Sequence, residues 1–531
     1  MNQGPAGSSK FGLVDDAWLA VSAGGAARVL RTAPPAYAAG AGVAALNFSG
    51  SYPLTRLVPL DPALEAGGAL ALALHAYSTY VPGDLAASAL PAVAFTLTAV
   101  NRGAAPLPVA LALNMPLGGL LGCTMAGDGK GGAGGAAASN ASACLHACAA
   151  APATCASWQF DVSAGACTLN SDVPLAAFSP TTACGLAGAG GWAAADGAVS
   201  LDMRAPSGAV GTSSGDVTLR ASADGDLVAP GAAASFAAAD DPAAVFAAFA
   251  AGGGAFAPDA PGLAAGGAAF GGAQAAHGAA AVAGVIAPGG TATLTVVFAW
   301  SFPIRNWNGG AEDLGNGYSA AFADSAAAAA RLASSAQLAA TVAAINAHHN
   351  VVAGRSNPLP EWLKDMLLNQ FSHAHMLMWL SDGRMREYEA YSCDDVDSVH
   401  NDFQRHLMYL WSFPSFENSK LNAWSTFAQA DDGHVIESLA GGCGGGKPGA
   451  LDAPSGRLMG DTTSLFVVEV GEWWQLSGDS LALRERWPAV SRAVAWLLTN
   501  ANATGLPRFL ETTACAAHQT RPPPSTITPS L

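Results

Sequence analysis

Residues 316–350 read NGYSAAFADSAAAAARLASSAQLAATVAAINAHHN, and the character of the sequence changes at this point. The segment from Tyr318 to Ala344 is alanine-rich and compatible with a helix. Upstream, short apolar runs such as Val93–Val100 and Ala292–Trp300 are separated by Gly and Pro breaks, which is typical of antiparallel strands. Downstream, apolar residues recur at helical spacing. Strands followed by helices predict a multidomain β + α chain.

This order divides the chain into segments. We expect an N-terminal antiparallel β-sandwich over 11–116 and 196–305, interrupted by a Gly/Ala-rich insertion over 117–195. A helical linker is expected over 306–356, a helical domain over 357–513 and a disordered tail over 514–531. Within the helical domain, the predicted helices are 361–380, 400–411, 418–430, 461–476 and 484–499.

Composition excludes several classes of protein. The 531 residues contain 23 Lys and Arg against 39 Asp and Glu, a net charge of -16 that argues against binding to a nucleic acid. Charged residues make up 12% and hydrophobic residues 51%, unlike a disordered chain. No apolar run is long enough for a transmembrane helix, and residues 1–10 lack a signal-peptide pattern. Peripheral contact with a membrane stays compatible with the sequence.

Six of the nine cysteines cluster within about sixty residues, which predicts a disulfide framework and favours a secretory or extracellular location. A zinc site is the alternative, although the cluster contains no Cys-x-x-Cys pair. The compartment stays open, because no signal peptide is predicted. The candidate disulfide cysteines are Cys123, Cys144, Cys148, Cys155, Cys167 and Cys184.

The densest chemical stretch runs from Asp382 to His400, with four Asp, two Glu, two Arg and two Tyr. Carboxylates crowded with aromatic rings are what glycoside hydrolysis needs, since one carboxylate attacks the sugar and another moves a proton. The alternatives are a solvated acidic loop or a Ca²⁺ site that uses Asp394, Asp395 and Asp397.

Other polar residues are weaker candidates. Asp461 precedes an apolar helical run and either contacts a ligand or caps that helix. His373 and His375 lie two residues apart, which does not suit a metal site on a helix. Cys393 is a poor nucleophile because the acidic residues that follow it oppose thiolate formation. We therefore expect neither a metal nor another cofactor.

Taken in order, a set of short motifs resembles glycoside hydrolase family 116, the family of non-lysosomal glucosylceramidases and β-glucosidases. The N-terminal motifs are Phe48-Ser-Gly-Ser-Tyr-Pro53, Tyr80-Val-Pro-Gly-Asp84 and Ala299-Trp-Ser-Phe-Pro303. The C-terminal motifs are Leu359-Pro-Glu-Trp362, Asp382-Gly-Arg384 with Glu389, Gly460-Asp461, Ser477-Gly-Asp479 and Trp487-Pro488.

The resemblance implies a β-sandwich followed by an (α/α)6 barrel and retaining hydrolysis of β-glucosides or glucosylceramide. It places the nucleophile at Glu389, six residues after Gly383, with Glu387 as the nearby competitor. The residues that it implies for substrate binding are Asp397, His400, Glu437 and Asp461.

The chain also departs from the family pattern. After Gly505-Leu-Pro507 the family has a Thr-Tyr-Asp segment that carries the acid/base, whereas this chain has Glu511-Thr-Thr513. About five helices follow residue 360, where the barrel needs twelve. We therefore expect a C-terminally truncated barrel and an inactive chain, because loss of a proton donor slows catalysis by about 10²–10⁴-fold.

The insertion resembles a PAN/Apple module, through Cys144-x3-Cys148, Cys155-x2-Trp158 and Cys167-x-Leu169. Such modules bind carbohydrate or protein. The alternative function is therefore a carbohydrate-binding or adhesion protein that acts through this module, and the competing interpretation is an insertion whose cysteines only hold it together.

Overall fold

The chain forms two compact units. Within the described residues, the first unit comprises 17–305 and 315–371, and the second comprises 306–314 and 377–501. The computed structural model describes residues 17–116, 120–124, 141–151, 153–155, 157–161, 164–171, 177–186, 191–195, 197–202, 215–229, 231–257, 264–266, 270–273, 275–307, 312–371, 377–390, 393–440, 450–455 and 459–501.

The first unit is built on antiparallel strands. In chain order they are β1 (Trp18–Ala23), β2 (Ala26–Val29), β3 (Ala45–Ser51), β4 (Leu54–Leu60), β5 (Leu70–Ser78), β6 (Ala92–Asn101), β7 (Leu107–Met115), β8 (Leu120–Thr124), β9 (Ser157–Asp161), β10 (Ala166–Asn170), β11 (Ala177–Leu186), β12 (Gly191–Ala195), β13 (Ala198–Asp202), β14 (Asp216–Gly225), β15 (Ala233–Ala239), β16 (Ala264–Gly266), β17 (Phe270–Ala273), β18 (His277–Ile286) and β19 (Thr291–Ser301).

Two large sheets share one apolar core. The nine-stranded sheet has the order β17-β12-β13-β14-β19-β6-β5-β4-β3, and the six-stranded sheet has the order β16-β15-β18-β7-β1-β2. Leu97 and Leu294 of the first sheet and Leu111 of the second are fully buried in the same cluster. Alternate residues of each strand point to this core, as the period of a half-buried strand requires. This arrangement agrees with the predicted β-sandwich.

The described residues of the first unit also form six α-helices: α1 (Leu85–Ser88), α2 (Ala141–Ala149), α3 (Pro242–Ala251), α4 (Ser325–Ala333), α5 (Ser335–Ala353) and α6 (Glu361–Asn369). The alanine-rich segment forms α4 and α5 rather than one helix. Ser334 separates them, because its hydroxyl caps α5 by accepting the Gln337 N–H at 3.2 Å. Leu332 of α4 packs on Val297 of the nine-stranded sheet.

The cysteine-rich insertion has a small core of its own. Strands in the order β10-β9-β11-β8 form a four-stranded sheet, beside which α2 lies. Disulfides join Cys144 to Cys167 and Cys148 to Cys155, so the disulfide prediction is confirmed for these four and the zinc alternative is wrong for them. The side chains of Cys123 and Cys184 lie outside the described residues.

Within its described residues, the second unit contains short strands, five α-helices and a π-helix turn at Trp424–Ala428. The strands and α-helices are β20 (Asn306–Trp307), β21 (Glu312–Asp313), β22 (Leu377–Trp379), β23 (Met385–Ala390), β24 (Cys393–Val396), β25 (Ser438–Leu439), β26 (Pro454–Ser455), α7 (Val399–Asp402), α8 (His406–Ser412), α9 (Pro414–Ala423), α10 (Thr462–Ser477) and α11 (Ser480–Thr499). Strands β22 to β26 pair in sequence order as one sheet. Phe466, Val470 and Trp424 are buried in the helical core.

The helix predicted over 361–380 is confirmed over Glu361–Asn369 and is wrong over Leu377–Trp379. Leu377–Trp379 is a strand, β22, that pairs with β23, because Met378 lies in an apolar cluster with Trp307 and Val396. His373 and His375 lie outside the described residues. The helices predicted near 400–411, 418–430, 461–476 and 484–499 correspond to α7 to α11, and the (α/α)6 barrel stays a prediction.

Among the described residues, no single helix is long and apolar enough to cross a membrane. Helices α4 and α5 meet the length and composition criteria only when taken together, and they are bent by 75° relative to each other.

Candidate active site

The described part of the stretch from Asp382 to His400 contains the paired strands β23 and β24 and the start of α7, and it carries several carboxylates. Gly383 occupies the turn between β22 and β23 with φ 90, a conformation that L side chains rarely adopt. The Asp382 carboxylate fixes the same turn by accepting the Arg384 N–H at 2.9 Å. Strand β23 therefore starts at a defined register and carries both Glu387 and Glu389.

Glu387 and Glu389 lie in different environments. Glu387 is 2% exposed, and its Oε1 lies 3.0 Å from Nη1 of Arg405. Burial and the neighbouring Asp402 raise the pKa of Glu387 to about 8, although Arg405 acts in the opposite direction. Glu389 is partly exposed, and its Oε2 has no hydrogen-bond partner within the described part of the chain. Arg405 donates to the backbone carbonyl of Glu389 at 2.6 Å and so holds the strand there.

Asp397 is buried behind β23 rather than solvated. Its Oδ1 accepts the Glu387 N–H at 2.7 Å, and its own N–H donates to the Glu387 carbonyl at 2.8 Å. Its Oδ2 lies 3.5 Å from Arg386, and burial raises its pKa to about 7. Asp395 and Asp397 are 3% and 1% exposed, so the interpretation as a solvated acidic loop is wrong.

Three separate segments meet beside this strand. The Val399 N–H donates to the Glu437 carbonyl at 2.9 Å, which links the 397–400 turn to the strand β25 region. The Thr462 hydroxyl donates to the Val435 carbonyl at 2.7 Å, which adds the start of α10. The structure therefore brings together the segments that carry Asp397, His400, Glu437 and Asp461.

The side chains of these segments differ in how they are held. His400 is partly exposed, with Nδ1 3.2 Å from the Ser398 hydroxyl, and Glu437 is 8% exposed. Asp461 occupies the N-cap position of α10, but its side chain makes no capping hydrogen bond. Its Oδ1 is buried without a hydrogen-bond partner among the described residues, so the capping interpretation is wrong.

Sequence reasoning missed a second layer of charges behind Glu387. Asp402, Arg405 and Lys420 are buried or nearly so, and Lys420 Nζ lies 3.9 Å from Asp402. Burial and Glu387 also raise the pKa of Tyr409 well above its usual value. The available signal was the spacing of opposite charges by three residues, Asp402 with Arg405 and Glu417 with Lys420.

A groove of about 830 Å³ lies elsewhere, between the nine-stranded sheet and α5 in the first unit. Strand residues such as Thr96 and Thr295 line one wall, and Leu338 and Val342 line the other. Asp224 is the only carboxylate among its lining residues. Because glycoside hydrolysis needs paired carboxylates, this groove is not the candidate active site.

Comparison with known proteins assigns the sheet-rich part of the chain. A family model described as beta-glucosidase 2, glycosyl-hydrolase family 116 N-terminal, matches residues 17–341, which is more than half of the 531 residues. The match runs from before β1 into α5. None of the curated proteins matches the chain.

Proposed function

The chain belongs to glycoside hydrolase family 116, and from this premise we propose that it is a retaining β-glucosidase in which Glu389 is the nucleophile. The observation that carries the proposal is a difference in burial on β23, where Glu389 is partly exposed and Glu387 is buried.

A glycosidase nucleophile must be ionised and within reach of the sugar. Glu387 meets neither condition well, because it is 2% exposed and its pKa is raised to about 8 by burial. Glu389 is partly exposed as a residue, and its buried Oε2 accepts no hydrogen bond from any described residue. Glu389 is therefore the better candidate, and Glu387 is a positioning residue that acts through Arg405.

Arg405 links the two glutamates without touching the proposed nucleophilic oxygen. Its guanidinium contacts the Glu387 carboxylate at 3.0 Å and donates to the backbone carbonyl of Glu389 at 2.6 Å. These contacts restrain the backbone at Glu389. They contribute to the rate by holding the Glu389 carboxylate in a fixed orientation toward the substrate.

The sugar hydroxyls would be bound by groups from the neighbouring segments. Asp461 supports this role best, because its buried Oδ1 has no hydrogen-bond partner in the described part of the chain. His400 and Glu437 would complete the set. Asp397 would act indirectly, since its oxygens already contact the Glu387 N–H and Arg386.

The sequence lacks the expected Asp at the position where the family resemblance implies the proton donor. The position implied by the family resemblance is occupied by Glu511-Thr-Thr513, which lies outside the described residues. Because a missing proton donor affects only leaving groups that need protonation, we propose that the expected inactivity applies to those aglycones and that a glucosyl group is still transferred to Glu389 from aglycones that leave without protonation. Glucosylceramide and alkyl glucosides would then be poor substrates.

The test compares two β-glucosides with the purified full chain. 2,4-Dinitrophenyl β-glucoside, whose leaving group needs no proton, should be hydrolysed. Methyl β-glucoside needs a proton donor, so its hydrolysis should be slower by about 10²–10⁴-fold than in a β-glucosidase that has one. Glu389→Gln should abolish the first activity. Glu485→Gln, a change at an exposed residue of the same unit, is the matched control.

Two outcomes would contradict the proposal. Full activity of Glu389→Gln would remove the assigned nucleophile. Binding of glucosides without hydrolysis of either substrate would favour the alternative, a carbohydrate-binding protein, for which the disulfide-bonded insertion is the candidate module.

A further inference from the structure

A separate cluster of buried polar side chains lies among three helices of the second unit. It contains His406 on α8, Glu417 on α9 and Glu469 on α10, which are 1%, 0% and 0% exposed. None of the three has a role in the chemistry proposed at Glu389, so their burial calls for another explanation.

The three side chains converge on one point. One ligand atom from each, an imidazole nitrogen or a carboxylate oxygen, lies within 4.8 Å of the others. Nδ1 of His406 and Oε1 of Glu417 are 3.6 Å apart. Zinc bonds of about 2.0–2.2 Å to nitrogen and oxygen place neighbouring ligand atoms roughly 3–3.5 Å apart, so this pair is already close to the required separation.

The orientation of His406 is fixed from its other side. Nε2 lies 2.6 Å from Oε2 of Glu472, and because a carboxylate only accepts, Nε2 carries the proton and donates. In the neutral ring, Nδ1 then presents a lone pair to the Glu417 oxygen. A proton or a metal ion between Nδ1 and the Glu417 oxygen satisfies both atoms, and a carboxylate behind the imidazole is the usual support of a metal-binding histidine.

Glu469 supplies an independent observation. Both of its carboxylate oxygens are buried and have no hydrogen-bond partner in the described residues. Lys420 Nζ is 2.9 Å from Oε2 of Glu417, but 3.8 Å from Glu469 and 3.9 Å from Asp402. One ammonium therefore faces three buried carboxylates. A buried carboxylate that makes no hydrogen bond is strongly unfavourable, and Lys420 lies too far from Glu469 to donate one, so Glu469 has the capacity to bind a further cation.

We propose that His406, Glu417 and Glu469 bind a divalent transition-metal ion of the zinc class. One imidazole nitrogen and two carboxylate oxygens suit this class, and the ion would join α8, α9 and α10. The sequence gives no local spacing motif for such a site, because each ligand comes from a different helix.

The test measures metal content rather than hydrolysis. The full chain is produced with zinc in the medium, dialysed against metal-free buffer and analysed for bound zinc by mass spectrometry. We expect about one zinc per chain that Glu469→Gln abolishes, and Glu472→Gln should weaken zinc binding by about 10–100-fold. Asp432→Asn removes an exposed carboxylate–histidine pair of the same chemistry and should leave the zinc content unchanged.

X-ray absorption at the zinc edge identifies the ligands and separates this site from the cysteines. The proposal requires nitrogen and oxygen ligands only, and zinc should raise the melting temperature of the wild type but not of Glu469→Gln. A chain that takes up no zinc, sulfur ligands, or a zinc content that Glu469→Gln leaves unchanged would each overturn it.

Discussion

The two units bury polar groups in opposite ways. In the first unit, the buried polar residues of the described part are mostly Ser, Thr and Asn, such as the Thr96 and Thr295 pair, while the charged ones are few. In the second unit, the buried polar residues are mostly charged, and they include Arg386, Asp402 and Glu469.

This difference separates a scaffold from a candidate site. A neutral hydroxyl pair in a sheet costs little to bury once it is hydrogen-bonded, whereas each buried charge needs a partner. Perturbed charges concentrate at functional sites because chemistry needs them there. The second unit is therefore the place to look for catalysis, even though the family model matches the first.

The largest expected effect on stability comes from removing a buried cation of the second unit. Arg386 is 3% exposed, and it lies 2.5 Å from Asp452 and 3.5 Å from Asp397. Arg386→Met leaves the buried Asp397 without its cation and Asp452 with Arg384 alone, and it should destabilise this unit by about 3–5 kcal/mol. Denaturant unfolding, with hydrogen exchange read on β23 and α9, measures the loss.

The matched control is Arg384→Met, since Arg384 also contacts Asp452 but is 35% exposed. Solvent screening should limit its effect to about 1 kcal/mol or less. Equal losses for the two variants would show that burial does not distinguish the charges of this unit, and the comparison between units would fail.

The second prediction concerns pH. Burial raises the pKa of Glu387 to about 8 and that of Asp397 to about 7, so the folded chain binds protons that the unfolded chain has already released. Their contribution to stability is complete below about pH 4 and is lost as the pH rises through 7 and 8. Glu387→Gln should flatten this fall, as measured by the free energy of unfolding between pH 4.5 and 8.5.

If stability instead rises over this range in the wild type, the two carboxyls are ionised in the folded state, and the assignment of Glu387 as a largely protonated neighbour is wrong. Glu485→Gln, which changes an exposed carboxyl, should keep the wild-type slope.

A smaller effect is expected in the cysteine-rich insertion. The Cys144–Cys167 disulfide closes a loop of 23 residues and should contribute about 3 kcal/mol, whereas Cys148–Cys155 closes 7 residues and should contribute about 2 kcal/mol. Cys144→Ala with Cys167→Ala should therefore speed hydrogen exchange in β9 and β10 more than the other double variant does. The reverse order would contradict the loop-entropy account.

The smallest effect is expected in the sheet of the first unit. The hydroxyl of Thr295 lies 3.2 Å from that of Thr96, and both are buried. Thr295→Val keeps the shape and loses one neutral hydrogen bond, so it should cost about 1 kcal/mol. A loss as large as that of Arg386→Met would show that buried polar groups matter equally in the two units.

The sequence predicted the order of secondary-structure elements along the chain better than their boundaries and buried faces. The predicted change from strands to helices is confirmed for the helices α4 to α6, because periodicity is a local property of each segment, but the short strands β22 to β26 that follow were not predicted. The helix predicted from residue 484 begins at Ser480, where the Asp479 carboxylate caps it by accepting two N–H groups. Helical spacing alone does not identify a buried face, since the apolar residues Trp362 and Met366 of α6 are 68% and 49% exposed.

For the candidate site, the sequence identified the stretch from Asp382 to His400 but not which of its side chains are buried. Nothing in the order of residues separates a solvated acidic loop from a buried one, because burial of Asp397 depends on contacts with Arg386 and Trp424 that only tertiary structure creates. For the same reason, Arg405 was not recognised as the link between Glu387 and Glu389.

The most direct measurement traps the covalent intermediate. The full chain is incubated with 2,4-dinitrophenyl 2-deoxy-2-fluoro-β-glucoside, a substrate whose fluorine slows release of the bound sugar, and then digested and mapped by mass spectrometry. The account predicts one fluoroglucosyl group on Glu389 and none in Glu389→Gln. A label on Glu387, or no label on a chain that hydrolyses the unfluorinated glucoside, would contradict it.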